Sequence, residues 1–233
     1  MNHIQRATGP KTFKHATWQL IGQEKSPLLT IDNCLPELSQ LLELGKNHEG
    51  YVSNSDDFYP GVRKSLSGDY KKTLTTIFSE SLNAQAISSA LPECLENTFA
   101  VANQAADSLL PIQCIPHFDS NNPRQWAAVH YLCDSEQGGT GFFRHRQSGF
   151  EKISPQRELQ YQRLLQDSLV HYGIPKAAYL TGSCERFEQF YQVEAKFNRC
   201  IFYPSSLLHS GMINEKVNQQ WPARLTITSL FIV

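Results

Sequence analysis

The sequence predicts an α+β protein that is mainly β, a sandwich or jelly roll whose N-terminal third is helical and supports it. Three observations predict this. From about residue 99, short aromatic and β-branched runs alternate with turns of Gly, Pro, Asn and Ser, a texture foreign to a parallel sheet with crossover helices. Before that point the apolar spacing is helical from residue 28 to 100. The chain of 233 residues is long enough for one core and does not require two, so residues 1–233 read as a single domain. Within it, 1–98 is a support region of helices and strands and 99–233 the β-rich unit, interrupted by a helical insertion at about 151–185.

In the support region, "NCLPELSQLLELGKN" carries Leu35, Leu38, Leu41 and Leu42 at helical spacing, with Pro36 early and Gly45 as a stop signal. "DYKKTLTTIFSESLNAQAISSALPECLENTF" reads as one or two further helices that bury Leu74, Ile77, Phe78 and Leu82. The strands follow as "TFAVA", "QWAAVHYLC", "TGFFRHR", "RFEQFYQV", "RCIFYP", "LLHSGMI" and "ARLTITSLFIV". Between the third and fourth of these, "PQRELQYQRLLQDSLVHY" at 155–172 is helical. Its Leu159, Leu165 and Leu169 form an apolar stripe, which suits either a helix packed permanently on the sheet or a mobile cover over its mouth.

Composition narrows the partners. Lys and Arg together number 21 against 22 for Asp and Glu, so no bulk field draws the chain to nucleic acid or to an anionic membrane. No apolar run has the length of a signal-peptide core or a membrane span, and the expected location is the cytoplasm. The six cysteines form no Cys-x-x-Cys pair and mostly sit among apolar residues, as buried free thiols do.

Chemistry enters at "CIPHFDSNNP". Side chains two apart on a strand share a face, so His117 and Asp119 can hold one metal ion while Phe118 points away. His209 in "YPSSLLHSGMI" is the candidate third ligand. Two His and a carboxylate leave coordination positions open, which serves a non-haem Fe(II) oxygenase and also a zinc hydrolase. Arg224 separates the two. On the last apolar strand, with Thr226 and Thr228 on the same face, it is a buried cation in need of a carboxylate, supplied either by a protein Asp or Glu or by a bound dicarboxylate to whose fork the Thr hydroxyls can add. His130 should face away from Tyr131 and from the pocket, and Arg144 and Arg146 make His145 a poor ligand. The Phe142 and Phe143 pair reads as core.

These parts resemble a known family. His117-Phe-Asp119, Tyr131-Leu, "GGTGFFRHR", "CIFYPSSLLHSG" and Arg224-Leu-Thr-Ile-Thr228 follow the order and approximate spacing of the prolyl-hydroxylase-like branch of 2-oxoglutarate/Fe(II)-dependent dioxygenases, over about residues 97 to 233. "FYPGVR" at 58–63 looks like a bacterial subgroup of uncharacterised members. The resemblance implies a double-stranded β-helix, the cupin-like jelly roll, with Fe(II), 2-oxoglutarate and O2 as cofactor and cosubstrates. It implies His117, Asp119 and His209 as iron ligands and Arg224 as anchor for the distal carboxylate of 2-oxoglutarate, with Tyr131 and Thr228 matching groups that assist it. Two departures stand out: "NEKVNQQWP" lengthens the loop before Arg224, and Cys133 replaces a frequent Asn. The implied activity is hydroxylation of an unactivated C–H bond in an amino acid, a peptide or protein side chain, or a small metabolite. A zinc-dependent hydrolase on the same triad and a non-catalytic jelly-roll binding module are the alternatives. Arg63, after a Pro-Gly turn, either reads a substrate carboxylate or is a solvated surface residue.

Overall fold

The computed structural model describes residues 16–53, 59–214, 221–222 and 224–233. In chain order the elements are β1 (Ala16–Ile21), β2 (Ser26–Ile31), α1 (Ser39–Lys46), β3 (Gly61–Ser65), α2 (Asp69–Ala84), β4 (Glu93–Ala102), β5 (Gln125–Tyr131), β6 (Gly138–His145), α3 (Pro155–Tyr172), β7 (Phe187–Val193), β8 (Arg199–Pro204), β9 (His209–Ile213) and β10 (Arg224–Ile232). The strands form two antiparallel sheets, one of seven in the order β1-β2-β8-β5-β10-β4-β3 and one of three in the order β7-β6-β9.

Strand alternation sorts the side chains of the large sheet into two cores. On β5, Trp126 and Ala128 face the helices, while Ala127, Val129 and Tyr131 face the small sheet. The helix-side core gathers Leu74, Ile77, Phe78 and Leu82 of α2 against Phe99, Phe202 and Phe231, with the Phe78 and Phe202 rings stacked at 4.5 Å. Each such ring contributes about 1.5–3 kcal/mol on burial, so this face anchors the sheet. The inter-sheet core joins Ile201 and Tyr203 of β8 to Phe142 of β6, and it opens at one end into a cavity.

All seven expected strands form, and the helix at 155–172 has the bounds read from sequence. The N-terminal third differs. It contains β1, β2, β3 and the start of β4 besides two helices, so its helical character is a minority share. β2 escaped detection because Leu28 packs into the inter-sheet core and Leu29 and Ile31 into the helix-side core. A strand buried on both faces shows no alternation of apolar and polar residues. Gly45 is no stop signal either. It lies inside α1, where a Cβ would come within 2.9 Å of Leu225 and 3.0 Å of Phe99, so close packing against the sheet demands glycine. Residues 69–84 make one helix.

The apolar stripe of α3 is also not the one expected. Leu159 and Leu169 are exposed, while Tyr161 and Ser168 are buried and Leu165 is partly buried. Arg186 Nε donates to Ser168 Oγ at 3.0 Å, and Arg157 Nη1 donates to Glu24 at 2.8 Å, tying the helix at both ends. Among the described residues no helix is long and apolar enough to cross a membrane. Of the motifs singled out in the sequence, Phe58 of "FYPGVR" and most of the loop at 214–222 lie outside the described residues.

Candidate active site

Two segments distant in sequence are zipped together at the cavity. His117 N–H donates to the His209 carbonyl at 2.9 Å, His209 N–H donates back at 2.8 Å, and Asp119 N–H donates to the Ser205 carbonyl at 2.9 Å. This short bridge sets both imidazoles side by side, ring centroids 4.4 Å apart, and places the Asp119 carboxylate against the pair. Asp119 Oδ1 stands 3.8 Å from His117 Nε2 and Oδ2 stands 3.8 Å from His209 Nε2. One donor atom from each residue lies within 4.8 Å of the others, and among the described residues no other three His, Cys, Asp or Glu converge so. Phe118 points away, packing edge-on to Tyr161 of α3 at 6.2 Å.

The donor set fits a metal ion. Neighbouring ligands at ~2.1 Å from one ion stand about 3 Å apart, so each carboxylate–imidazole separation of 3.8 Å closes on an ion by a contraction of under an ångström. A carboxylate that is 26 % exposed on its cavity side can make that movement. His209 Nδ1 lies 2.9 Å from the Leu207 carbonyl, which accepts its N–H and leaves the lone pair on Nε2, the nitrogen on the Asp119 side. His117 is half open to the cavity yet walled by protein around it. That enclosure, with the adjacent His209 ring and the more distant Arg63 charge outweighing Asp119, pushes its imidazole down to about 4. It is therefore neutral and able to donate across the physiological range.

Arg224 opens β10 on the same cavity and is only 4 % exposed. Its Nη2 donates to the Gly139 carbonyl at 3.0 Å, and its guanidinium carbon is 5.8 Å from the Tyr131 ring centre. Its Nε is buried and, among the described residues, has no hydrogen-bond partner. Tyr59, Cys133, Tyr131 and Tyr203 are the groups its charge acts on most, and among the described residues no carboxylate forms an ion pair with it. The protein Asp or Glu that the sequence left open as its partner is not there among the described residues. A buried cation in that condition is costly unless a ligand completes it.

Tyr131 is fully buried with its hydroxyl 2.6 Å from Thr140 Oγ1, and burial holds its phenol up at about 12. Thr226 and Thr228 also line the cavity, but their hydroxyls donate to the Ala100 carbonyl at 3.3 Å and the Thr98 carbonyl at 3.5 Å. As they stand, neither directs a hydrogen into the fork that sequence assigned to them. His130 lies on the opposite face, stacked on Tyr70 and bonded through Nε2 to Asn198 at 3.1 Å. His145 is bonded to Ser148 at 2.9 Å beneath α3, away from the triad. Phe142 and Phe143 are fully buried in two different cores. Cys133 is buried and is one of six free cysteines.

The cavity measures about 650 Å³ and joins the triad, Arg224 and Arg63 in one space. Three of its residues were missed in the sequence: Thr140, Tyr203, whose ring meets His209 edge-on at 4.9 Å, and Glu96 beside Arg63. Alternation from Ile201 would have placed Tyr203 on the cavity face. Glu96 had no such signal.

A family model described as a family of unknown function, DUF6445, matches residues 14–231. No curated protein matches the sequence. Among solved structures, the non-heme alpha-ketoglutarate-dependent epimerase SnoN from nogalamycin biosynthesis superposes with a TM-score of 0.50 at 11 % identity, covering 90 % of this chain and 79 % of that one. HygX from Streptomyces hygroscopicus, with nickel and 2-oxoglutarate bound, gives 0.48 at 14 % identity over 90 % of this chain and 84 % of its own. The carbocyclase SnoK, also from nogalamycin biosynthesis, gives 0.47 at 12 % over 90 % and 80 %. At 11 % identity the likeness to SnoN is one of fold, and the two weaker superpositions carry no argument.

Proposed function

We propose that this chain, which belongs to the DUF6445 family of unknown function, is an Fe(II)- and 2-oxoglutarate-dependent oxygenase that hydroxylates an unactivated C–H bond. One observation carries the reading. A converging His-Asp-His cluster and a buried arginine with an unpartnered Nε face the same 650 Å³ cavity, so a metal and a dicarboxylate have complementary seats in one space. A zinc hydrolase gives the buried charge of Arg224 no task.

In this reading His117, Asp119 and His209 hold iron, and Arg224 grips the distal carboxylate of 2-oxoglutarate through its free Nε edge. Iron, when bound, supplies oxygen activation coupled to decarboxylation of 2-oxoglutarate, one oxygen atom entering succinate and the other the substrate. The chain's own groups do the rest. The Nδ1 hydrogen bond of His209 to Leu207 keeps the lone pair of Nε2 on the metal side. The neutral Tyr131 hydroxyl, paired with Thr140, offers a donor near the Arg224 end. Arg224 neutralises a carboxylate without reorganising, since the sheet already holds it in place. Tyr161 and Leu165 of α3 give the cavity an apolar stretch of wall.

The finer parts of the proposal are membership of the prolyl-hydroxylase-like branch, a double-stranded β-helix architecture, a substrate that is a small molecule or a peptide or protein side chain, and a cytoplasmic location. The two facing antiparallel sheets and the six free cysteines support the architecture and the location. The test is succinate formation from 2-oxoglutarate by protein reconstituted with Fe(II) under reducing conditions, with zinc-loaded protein as control. Absence of turnover together with absence of 2-oxoglutarate binding sinks the proposal.

A further inference from the structure

We infer that Tyr203 is a further ligand-binding residue of this site, whose hydroxyl donates a hydrogen bond to the keto-acid end of 2-oxoglutarate, the end that chelates the metal. The inference rests on the oxygenase reading above and adds a residue that neither the triad nor the Arg224 anchor includes.

The Tyr203 ring is held firmly, yet its hydroxyl is left unsatisfied. On β8 the residue stands opposite Ala127 of β5, with Ile201 two positions before it on the same face, and that face closes on the small sheet. The side chain is 1 % exposed. Its ring meets Phe142 edge-on at 5.1 Å and His209 edge-on at 4.9 Å, so packing on two sides sets the direction of the phenol. A buried tyrosine hydroxyl normally finds a partner, as that of Tyr131 does in Thr140 at 2.6 Å and that of Tyr70 in His130 at 3.2 Å. Among the described residues the Tyr203 hydroxyl has no hydrogen-bond partner, and the residue lines the cavity.

Position assigns that hydroxyl to one end of the dicarboxylate. The ionisable groups that act on it are Asp119 of the triad, Tyr131 and Arg224, so it lies between the metal seat and the anchor. Those two seats are close. Gly211 follows His209 by two residues on β9 and shares its face, a step of about 7 Å, and a side chain grown from Gly211 would meet the Arg224 guanidinium carbon at 3.8 Å. The separation is on the scale of 2-oxoglutarate itself. Tyr131 and Arg224 serve the distal carboxylate. Tyr203 packs instead on a metal ligand, and a phenol keeps its proton at neutral pH, so it faces the other end as a donor. The keto acid presents ionised and carbonyl oxygens there to accept it.

The test compares wild type with Tyr203→Phe, which keeps the ring and removes only the hydroxyl, and with Arg224→Met. Fe(II)-loaded protein is titrated anaerobically with 2-oxoglutarate and with 2-oxobutyrate, which keeps the keto acid and lacks the distal carboxylate. Calorimetry reads Kd, and the visible charge-transfer band reads the chelate. Tyr203→Phe should weaken both keto acids by about tenfold or more and shift the band, whereas Arg224→Met should weaken 2-oxoglutarate alone and leave the band in place. Without ligand, Tyr203→Phe should bind Fe(II) as wild type does and match or exceed its Tm, since the lost hydroxyl had no protein partner. The inference is overturned if the band or the Kd of its 2-oxoglutarate complex is unchanged, or if 2-oxoglutarate is weakened and 2-oxobutyrate is not, which would move the contact to the distal end. It is also overturned if Fe(II) binding falls, which would make Asp119 the partner, or if the ligand-free Tm falls, which would mean a partner elsewhere in the protein. Failure of wild type to bind Fe(II) or 2-oxoglutarate sinks the oxygenase reading, whereas a wild type that binds both and a Tyr203→Phe that matches it sink this inference alone.

Discussion

Replacing Arg224 by methionine should move two observables in opposite directions. In the ligand-free protein the guanidinium is 4 % exposed, makes one hydrogen bond to Gly139 and leaves Nε unpaired. Replacing buried ion pairs by apolar residues of similar volume is often neutral or stabilises by about 1–4 kcal/mol, and a charge with no partner has even less Coulomb attraction to lose. At roughly 2–4 °C per kcal/mol for a chain of this size, Tm without ligand should rise by several degrees. The dicarboxylate then loses its partner, and removing one member of a buried charge pair costs about 2–5 kcal/mol, which is roughly 30-fold to several-thousand-fold in Kd. Arg224→Lys should weaken 2-oxoglutarate as well, because a point charge cannot replace the planar fork, yet without the gain in Tm. Anaerobic calorimetric titration of 2-oxoglutarate into Fe(II)-loaded protein reads the second effect, and differential scanning fluorimetry reads the first. Wild type at 100 times its Kd should gain about 2.7 kcal/mol from the ligand, and the methionine variant should gain almost nothing at the same concentration. An unchanged Kd in Arg224→Met would refute the anchor. A fall in ligand-free Tm like that of a core truncation would refute the premise that the charge is stored unpaired.

Three further outcomes are expected. Alanine at His117, Asp119 or His209 should abolish or severely weaken Fe(II) binding in a metal titration, whereas His130→Ala and His145→Ala should bind normally, because Asn198 and Ser148 occupy their nitrogens far from the triad. Glu151→Gln should destabilise the protein at pH 7 by about 3–5 kcal/mol, read as a lowered Tm, since this fully buried carboxylate accepts from the Gln23 and Glu24 amides and from Arg144. Burial raises its pKa, but those donors together outweigh burial and hold it below the ordinary 4.5, so the contribution is complete above that value and is lost as pH falls through the depressed one; the Tm gap between variant and wild type should shrink in acid. Replacing 153–183 by a Gly-Ser linker should give an unstable or insoluble protein, because Ile153 and Tyr161 are core residues there, and Tyr161→Ala alone should cost about 3–5 kcal/mol; a stable linker variant with tightly coupled turnover would contradict a packed wall.

What could be read from the sequence divides by the range over which each signal acts. β5, buried on both faces, was legible as a strand from its apolar, aromatic run bounded by turn residues. Period-two alternation from Arg224 to Thr228 is local, so the cavity face of β10 was legible without any partner in view. His117 and Asp119 were legible for the same reason. β2 was not, because both its faces are buried and the alternation that marks a strand disappears when the second layer covers it. Gly45 misled because a glycine near a helix end has two unrelated causes, a left-handed cap and a close approach, and only the neighbouring Phe99 and Leu225 decide between them.

Glu96 marks the deeper limit. On β4 it sits in a strand that reads as ordinary surface alternation, and nothing local distinguishes it from Glu93. Its place on the cavity wall beside Arg63, one strand over, and its acceptance of the Thr98 hydroxyl arise from the pairing of β3 with β4, which no local signal in the sequence carries.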